Sequence, residues 1–270
     1  MDIKRIIVSS DDSQFIEFLP AVYSAWKKFF PEIRLTLAFL SDREHDDPIF
    51  DALRKYADLY VYNSIDGIPV PNQAKMIRYI CATQFEDEVV SVEDIDTIPL
   101  QREWFEKKFS ERKPGTMLRV GKEVFYNTIF DDKMPISTMT AEGHVWKSLI
   151  NPLSLSYNDL MNSWKTPLLK TKDNKQNFGN KPEVFSDESL IQCLMWETKT
   201  PETFVFRDVN IHKDWIDRSF WKVDVDKLNR GEYICCNFLR PFRRHKEFFK
   251  PILKYIDYEG DLHIATEKKG

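Results

Sequence analysis

Glycine is scarce in this sequence, 8 residues in 270. That argues against glycine-rich phosphate loops and against repeat folds, so a phosphate ligand would be met by a metal ion and cationic side chains. Long apolar runs are missing too, and nothing approaches the roughly 20 residues that span a bilayer. The opening Met1-Asp2-Ile3-Lys4-Arg5 carries no signal-peptide pattern. A cytoplasmic chain without a transmembrane segment is the expectation. Cysteine is limited to Cys81, Cys193, Cys235 and Cys236, with no Cys-x-x-Cys spacing. The adjacent pair is poorly placed to bond to itself, so free, buried thiols are expected. An excess of positive charge is also absent. The formal net charge of −4 gives no general attraction to nucleic acid, and none is expected as a partner.

Hydrophobic residues make up 42% and aromatics 14%, enough for the core of one large domain. With no internal repeat and no linker composition, residues 1–270 read as one unit.

The first hundred residues alternate between two periods. Arg5 to Ser9, Leu35 to Leu40, Ala57 to Tyr62 and Val89 to Val92 are short apolar runs that end in polar loops, as buried parallel strands do. Between them, Phe15 to Phe30, Ile49 to Tyr56 and Asn72 to Thr83 carry helical spacing. The alternation predicts an α/β fold with a mostly parallel sheet flanked by helices. After Pro99 the pattern loosens, and a smaller antiparallel portion is expected there. Met117 to Ile129 reads as strands, Gly143 to Ile150 as a helix, and the polar, Lys-rich stretch 168–182 as a loop able to close over a ligand. Ser186 to Trp196 reads as a helix with Ser186 as N-cap, and Phe248 to Tyr258 as a terminal helix.

The strand over Val89 to Val92 delivers Glu93-Asp94-Ile95-Asp96 at its carboxyl end, where sheets of this type keep their ligands. Two carboxylates at a strand tip can share a hard divalent cation, Mn²⁺ or Mg²⁺, and leave positions open for phosphate oxygens. Such an ion neutralises charge on a departing diphosphate. The plain alternative is an acidic turn that only solvates a strand end. On the preceding helix Gln73, Lys75 and Arg78 form a second group. Lys75 and Arg78 are three apart and share one face, either turned to an anionic ligand or simply solvated.

Residues 71–100, from Pro71-Asn72-Gln73-Ala74-Lys75 to Glu93-Asp94-Ile95-Asp96-Thr97, resemble the donor-site core of GT-A glycosyltransferases, in which a Lys/Arg-bearing helix precedes a strand ending in Asp-x-Asp. The strand Ile6 to Ser10 resembles the nucleotide-binding start of that fold. The resemblance implies a nucleotide-sugar donor with UDP as its commonest nucleotide, a divalent cation, and transfer to a hydroxyl acceptor such as a glycan. It also implies a nucleotide-sugar half over 1–100 and an acceptor half over 101–270.

Carried over, it places Ser9, Ser10 and Asp11 beside the nucleoside and Lys75 and Arg78 toward the donor. Asp94 falls between ribose and metal, and Asp96 on the metal. Asp187 and Glu188 would contact or deprotonate the acceptor hydroxyl, against the plain reading of first-turn carboxylates that suit a helix dipole. Residues 139–146 would wall the transferred sugar. Where the family often has a metal-binding His near its C-terminus, the matching stretch here offers Asn237, with His212 and His245 in contexts that do not match.

Two other readings stay open. Asp94-Ile95-Asp96-Thr97 also fits the Asp-x-Asp-x-Thr of haloacid-dehalogenase-like phosphatases, with Asp94 as nucleophile and Asp96 as general acid; against it, about ninety residues precede the motif. An inactive sugar-binding domain of the same fold is the other. Finally, Arg240, Arg243, Arg244 and Lys246 interleave with Phe238, Phe242, Phe248 and Phe249. That pattern reads as a solvated amphipathic helix start or as a patch for anions or a membrane surface.

Overall fold

The structure, a computed structural model, describes residues 2–120, 138–170, 187–205, 211–258 and 260, except for the side chains at 14, 166–170, 188, 189, 204, 211 and 212. β1 (Ile3–Asp11) passes through a short 3-10 turn into α1 (Leu19–Phe29), which begins with Pro20 in its first turn and stops before Pro31. There follow β2 (Arg34–Leu40), α2 (Pro48–Arg54), β3 (Asp58–Tyr62), α3 (Val70–Ala82), β4 (Val89–Glu93) and β5 (Thr97–Pro99). Asp47 caps α2, its side chain accepting from the Ile49 amide.

The second part holds α4 (Glu103–Ser110), β6 (Met117–Val120), β7 (Thr138–Glu142), α5 (Gly143–Ile150), α6 (Tyr157–Lys170) and α7 (Asp187–Thr198). It ends with β8 (Glu202–Val205), α8 (Ile211–Asp214), β9 (Trp215–Ile216), α9 (Val225–Asn229), β10 (Cys235–Asn237) and α10 (Phe242–Tyr255).

The main sheet runs β3-β2-β1-β4-β7-β6-β8. β3, β2, β1 and β4 are mutually parallel, β7 lies antiparallel to both β4 and β6, and β6 is parallel to β8. A small sheet, β5-β10-β9, joins β10 antiparallel to β5 and parallel to β9. The expected α/β architecture, mostly parallel with a smaller antiparallel portion, is present. β7, from the second part of the chain, hydrogen-bonds along the whole of β4, so the two parts share one sheet.

Period-two alternation in β1 sorts the core. Ile6 and Val8 join one buried cluster with Phe18, Trp26, Phe39, Phe105, Phe238, Phe242 and Phe249, while Ile7 between them joins the other, with Met76, Tyr79, Val92, Trp146 and Trp164. β1 is therefore buried on both faces, as its unbroken apolar run requires. Each buried Phe contributes about 1.5–3 kcal/mol of transfer free energy.

At the amino ends of the parallel strands buried Arg5 ties β1 to β3 and to the turn before β4. Its guanidinium reaches Glu88 at 2.9 Å and Asp58 at 2.7 Å, and it lies 3.9 Å above the Phe85 ring. Nearby, Gly143 starts α5 where no side chain fits. Its amide donates to Glu88 O at 2.9 Å, and a Cβ there would stand 2.0 Å from Phe85 O.

Several expectations shift. The terminal helix starts six residues earlier than its apolar spacing indicated, at Phe242, because the basic residues lie on its solvent face. The segment 15–30 opens as a 3-10 turn rather than an α-helix. Residues 168–170 complete α6 instead of opening a loop, since that helix runs on from Leu160, Met161 and Trp164 packed in the core. The rest of that stretch, the N-cap at Ser186 and the strand expected over 121–129 lie outside the described residues. Cys81, Cys235 and Cys236 are buried free thiols, but Cys193 is exposed, on the side of α7 away from buried Ile191 and Met195. Among the described residues no helix is long and apolar enough to cross a membrane.

Candidate active site

At the carboxyl ends of β1 and β4 the structure opens a cleft of about 730 Å³. β1 ends there in Ser9, Ser10 and Asp11, followed by Asp12 and Ser13; α3 contributes Lys75 and Arg78; the turn after β4 supplies Asp94 and Asp96; and α7 begins with Asp187. These lining residues include Ser9, Ser10, Asp11, Lys75, Arg78, Asp94, Asp96 and Asp187, all of which the sequence pointed to. Glu188 is the second residue of α7, and its side chain lies outside the described residues, as does that of His212.

Arg78 organises the floor. It is 4% exposed, and its Nη1 donates to Asp94 Oδ1 at 2.5 Å and to the Glu93 carbonyl at 2.9 Å. Its Nη2 donates to Asp187 Oδ2 at 2.9 Å and to the Tyr79 hydroxyl at 3.0 Å. Burial opposes the charged guanidinium, yet Tyr79, Asp94 and Asp187 hold its pKa above the ordinary value. Burial likewise works against an ionised Asp94, but the Arg78 charge and hydrogen bond outweigh it, and the carboxyl is held below its usual range. Lys75 lies more loosely, its Nζ 3.8 Å from Asp187 Oδ1.

Asp96 is 1% exposed and is covered by two arginines that sequence reasoning did not assign to the site. Arg218 donates to its Oδ2 at 2.6 Å, and Arg240 bonds the same oxygen through both Nε and Nη2. Burial nonetheless keeps the Asp96 carboxyl above its ordinary pKa, with Asp94 adding to the effect and both arginines opposing it. Arg240 stood in the sequence only as a member of a basic run, and Arg218 sits in an exposed turn. The available signal was physical: an acid expected in a buried strand exit requires cations, and the helix before it supplies only one within reach.

The arginine hydrogen bonds fall on Asp94 Oδ1 and Asp96 Oδ2, which makes Asp94 Oδ2 and Asp96 Oδ1 the candidate ligand oxygens. A hard cation could use these two oxygens together with those of a phosphate, the usual arrangement for Mg²⁺-type sites, so the residues fit such an ion only in the presence of a phosphorylated ligand. Among the described residues no third His, Cys, Asp or Glu joins them. Asn237 is not in the cleft lining. Its Oδ1 accepts from Thr97 Oγ1 at 2.8 Å and from Trp215 Nε1 at 3.2 Å, pinning β10 to β5 and β9. The amide oxygen expected as a metal ligand is thus spent inside the small sheet. His245 packs on α10 with its ring 6.2 Å from Phe248, outside the lining.

Residues 139–146 do not wall the cleft either. Met139 and Ala141 face the core, and Glu142 pairs with Arg112. β7 instead completes a buried polar chain under the site: Thr140 donates to Ser91 Oγ at 2.8 Å, Ser91 to Glu93 Oε1 at 2.6 Å, and Thr138 to Glu93 Oε2 at 2.9 Å. Burial pushes the Glu93 pKa up to about 8, more than these hydroxyls lower it, with the Asp94 charge adding to the rise. Glu93 is therefore mostly neutral at pH 7, the less costly state for a carboxyl in the sheet interior.

No protein-family model matches the chain, and no curated protein does. Solved structures do resemble it. The glycosyltransferase GlyE of Streptococcus pneumoniae TIGR4 matches at 10% identity and a TM-score of 0.42, over 76% of this chain and 45% of that one. The chain thus spans about half the length of that protein. The galactosyltransferase LgtC, solved with donor and acceptor sugar analogs, matches at 10% identity and a TM-score of 0.47, over 90% of this chain and 94% of that one. The bifunctional glycosyltransferase WbbM matches at 8% identity and a TM-score of 0.48, over 94% of this chain and 50% of that one.

Proposed function

We propose that this chain is a glycosyltransferase that takes a nucleotide diphosphate sugar, with uridine as the base, and passes the sugar to a hydroxyl acceptor such as a glycan. The observation that carries the proposal is the meeting of Asp94 and Asp96 with Lys75, Arg78, Arg218 and Arg240 in one cleft, beyond the carboxyl ends of β1 and β4. Sheets of this kind bind their ligands there.

The polar end of β1, with Ser9, Ser10 and Asp11, offers short hydrogen-bonding side chains to a nucleoside. Arg218 and Arg240 are fixed by Asp96, and each guanidinium has five N–H donors, so donors remain for phosphate oxygens after Asp96 is bonded. Asp94 and Asp96 would hold Mn²⁺ or Mg²⁺ through the oxygens the arginines leave free. When bound, the ion would supply Lewis-acid stabilisation of the leaving diphosphate. Asp187 has its Oδ2 committed to Arg78 and Tyr79, and its Oδ1, 3.8 Å from Lys75 Nζ, would orient a sugar hydroxyl at the acceptor side. Glu188, its neighbour on α7, would serve as the alternative acceptor-side carboxylate.

A thermal-shift panel of nucleotide sugars with and without Mn²⁺ tests the proposal. One nucleotide sugar raises the melting temperature in the presence of the ion, and the Asp94→Asn variant loses that response. A panel in which no nucleotide or nucleotide sugar shifts the melting temperature contradicts it.

A further inference from the structure

The two carboxylates after β4 are held by cations of different kinds. Asp94 is bonded by Arg78, which is 4% exposed and has both Nη nitrogens spent on Asp94, the Glu93 carbonyl, Tyr79 and Asp187. Asp96 is bonded on one oxygen by Arg218 and Arg240, whose side chains are 39% and 38% exposed. Asp217 caps the turn that carries Arg218, accepting from the Ser219 amide at 2.7 Å, and Arg240 lies 4.8 Å over the Phe15 ring. Both guanidiniums therefore keep their place in the cleft with N–H groups open to a ligand.

A single carboxylate facing two guanidiniums leaves a local surplus of positive charge, and Arg78 offsets the charge of neighbouring Asp94. Of the other acids in the lining, Asp12 is paired with Arg43 and Glu17 with Arg243. Asp187 lies against Arg78 and Lys75, and Asp11 accepts from the Ser13 amide. The acids of the cleft are thus largely answered by the protein's own cations. A divalent cation gains little from carboxylates whose charge is already offset, whereas a diphosphate meets two exposed guanidiniums.

We propose that Arg218 and Arg240 make the ligand's phosphates a condition for ion binding. The inference rests on the donor-site reading above and adds the order in which that site fills. Phosphate oxygens take up the open N–H groups and the positive charge of the two arginines. Asp94 and Asp96, together with the phosphates, then present the negative charge that a hard cation needs. Ion and diphosphate strengthen one another by the same factor, as linkage requires. The two arginines act on them in opposite directions: they favour the phosphates and oppose the ion.

Two titrations of the full chain test the inference: Mn²⁺ with the free ion read from its electron paramagnetic resonance signal, and UDP by calorimetry in a chelator. Corrected for the ion–UDP complex that forms in solution, UDP tightens Mn²⁺ binding at least ~10-fold, within the usual range of coupling between sites, and uridine does not. Arg218→Gln and Arg240→Gln are made one at a time so that Asp96 keeps a partner. Without nucleotide each binds Mn²⁺ at least ~5-fold more tightly than the unaltered protein, and without the ion each binds UDP at least ~5-fold more weakly. Adding Asp94→Ala to Arg240→Gln removes the gain in ion affinity. A loss of affinity for both ligands in the single variants, as a mere structural defect would give, overturns the inference. So does an unaltered protein that binds Mn²⁺ as tightly without nucleotide as with UDP, a result that needs no variant to fold. Both of these results leave the proposed function standing, since a UDP-sugar would still bind; a protein that binds no nucleotide overturns the inference and the proposed function together.

Discussion

Arg78 Nη2 and Asp187 Oδ2 meet at 2.9 Å although 109 residues separate them in the chain. The contact fastens the start of α7 to α3, and through the other arm of the same guanidinium to Asp94 after β4. One buried cation thus sets the spacing between the paired carboxylates and the acceptor side of the cleft. Because both partners are buried, removing one leaves an uncompensated charge. Arg78→Gln is expected to cost about 3–5 kcal/mol of unfolding free energy. Combined with Asp187→Asn it should cost less than the sum of the two single changes by at least ~1 kcal/mol. Chemical denaturation measures both; a loss below ~1 kcal/mol for Arg78→Gln would mean that the clamp is not formed in solution.

The carboxylates at the start of α7 give a kinetic expectation. Asp187→Asn and Glu188→Gln should leave nucleotide-sugar affinity close to that of the unaltered protein. Transfer to the acceptor should fall by ~10²-fold in the variant whose carboxylate meets the acceptor hydroxyl, the scale for losing an acid–base group. Steady-state assays that return unaltered transfer rates in both variants remove these residues from the reaction.

Glu93 makes stability depend on pH in an unusual direction. Its folded pKa is pushed up to about 8, above the ordinary value near 4.3 that it takes when unfolded. Between those values the folded chain keeps a proton that the unfolded chain has lost. The contribution is therefore complete below about pH 4 and declines by up to ~1.4 kcal/mol per pH unit until pH passes about 8. Glu93→Gln cannot ionise and keeps the hydroxyl contacts from Ser91 and Thr138. Urea titrations between pH 5 and 8 should show a flatter stability profile for the variant, and an unchanged slope would place the proton elsewhere.

Gly143 gives a packing prediction. With Phe85 O at 2.0 Å from where a Cβ would stand, Gly143→Ala must push apart α5 and the turn before β4. A loss of about 3 kcal/mol or more is expected, the upper end for overpacking against atoms that cannot rotate away. A melting temperature within 1–2 °C of the unaltered protein would show that the turn yields easily.

The order of strands and helices up to β4 was legible because each strand is a short apolar run and each helix carries its own period. The position of the acidic tip was legible for the same reason: Val89 to Val92 fixes where the buried strand ends. Asp187 was legible only as a helix start; its link to Arg78 depends on how α7 docks, which no local pattern encodes. Arg218 and Arg240 were missed because they arrive from a turn and from the residue after β10, both brought to Asp96 by the small sheet. That sheet is built of two- and three-residue strands, too short to show a period. Asn237 was misplaced for the same reason, since β10 turns its amide toward Thr97 and Trp215 rather than into the cleft.

Calorimetric titration of UDP-sugar in the presence of Mn²⁺ tests the central claim most directly. The unaltered protein should bind with an affinity that falls at least ~10-fold when the ion is chelated, the low end of what disturbing a metal site costs. Asp94→Ala, whose carboxylate is partly exposed, should reproduce that loss while keeping its circular dichroism spectrum. Equal affinity in the variant and the unaltered protein, or no heat with either, would contradict a donor site built on Asp94 and Asp96.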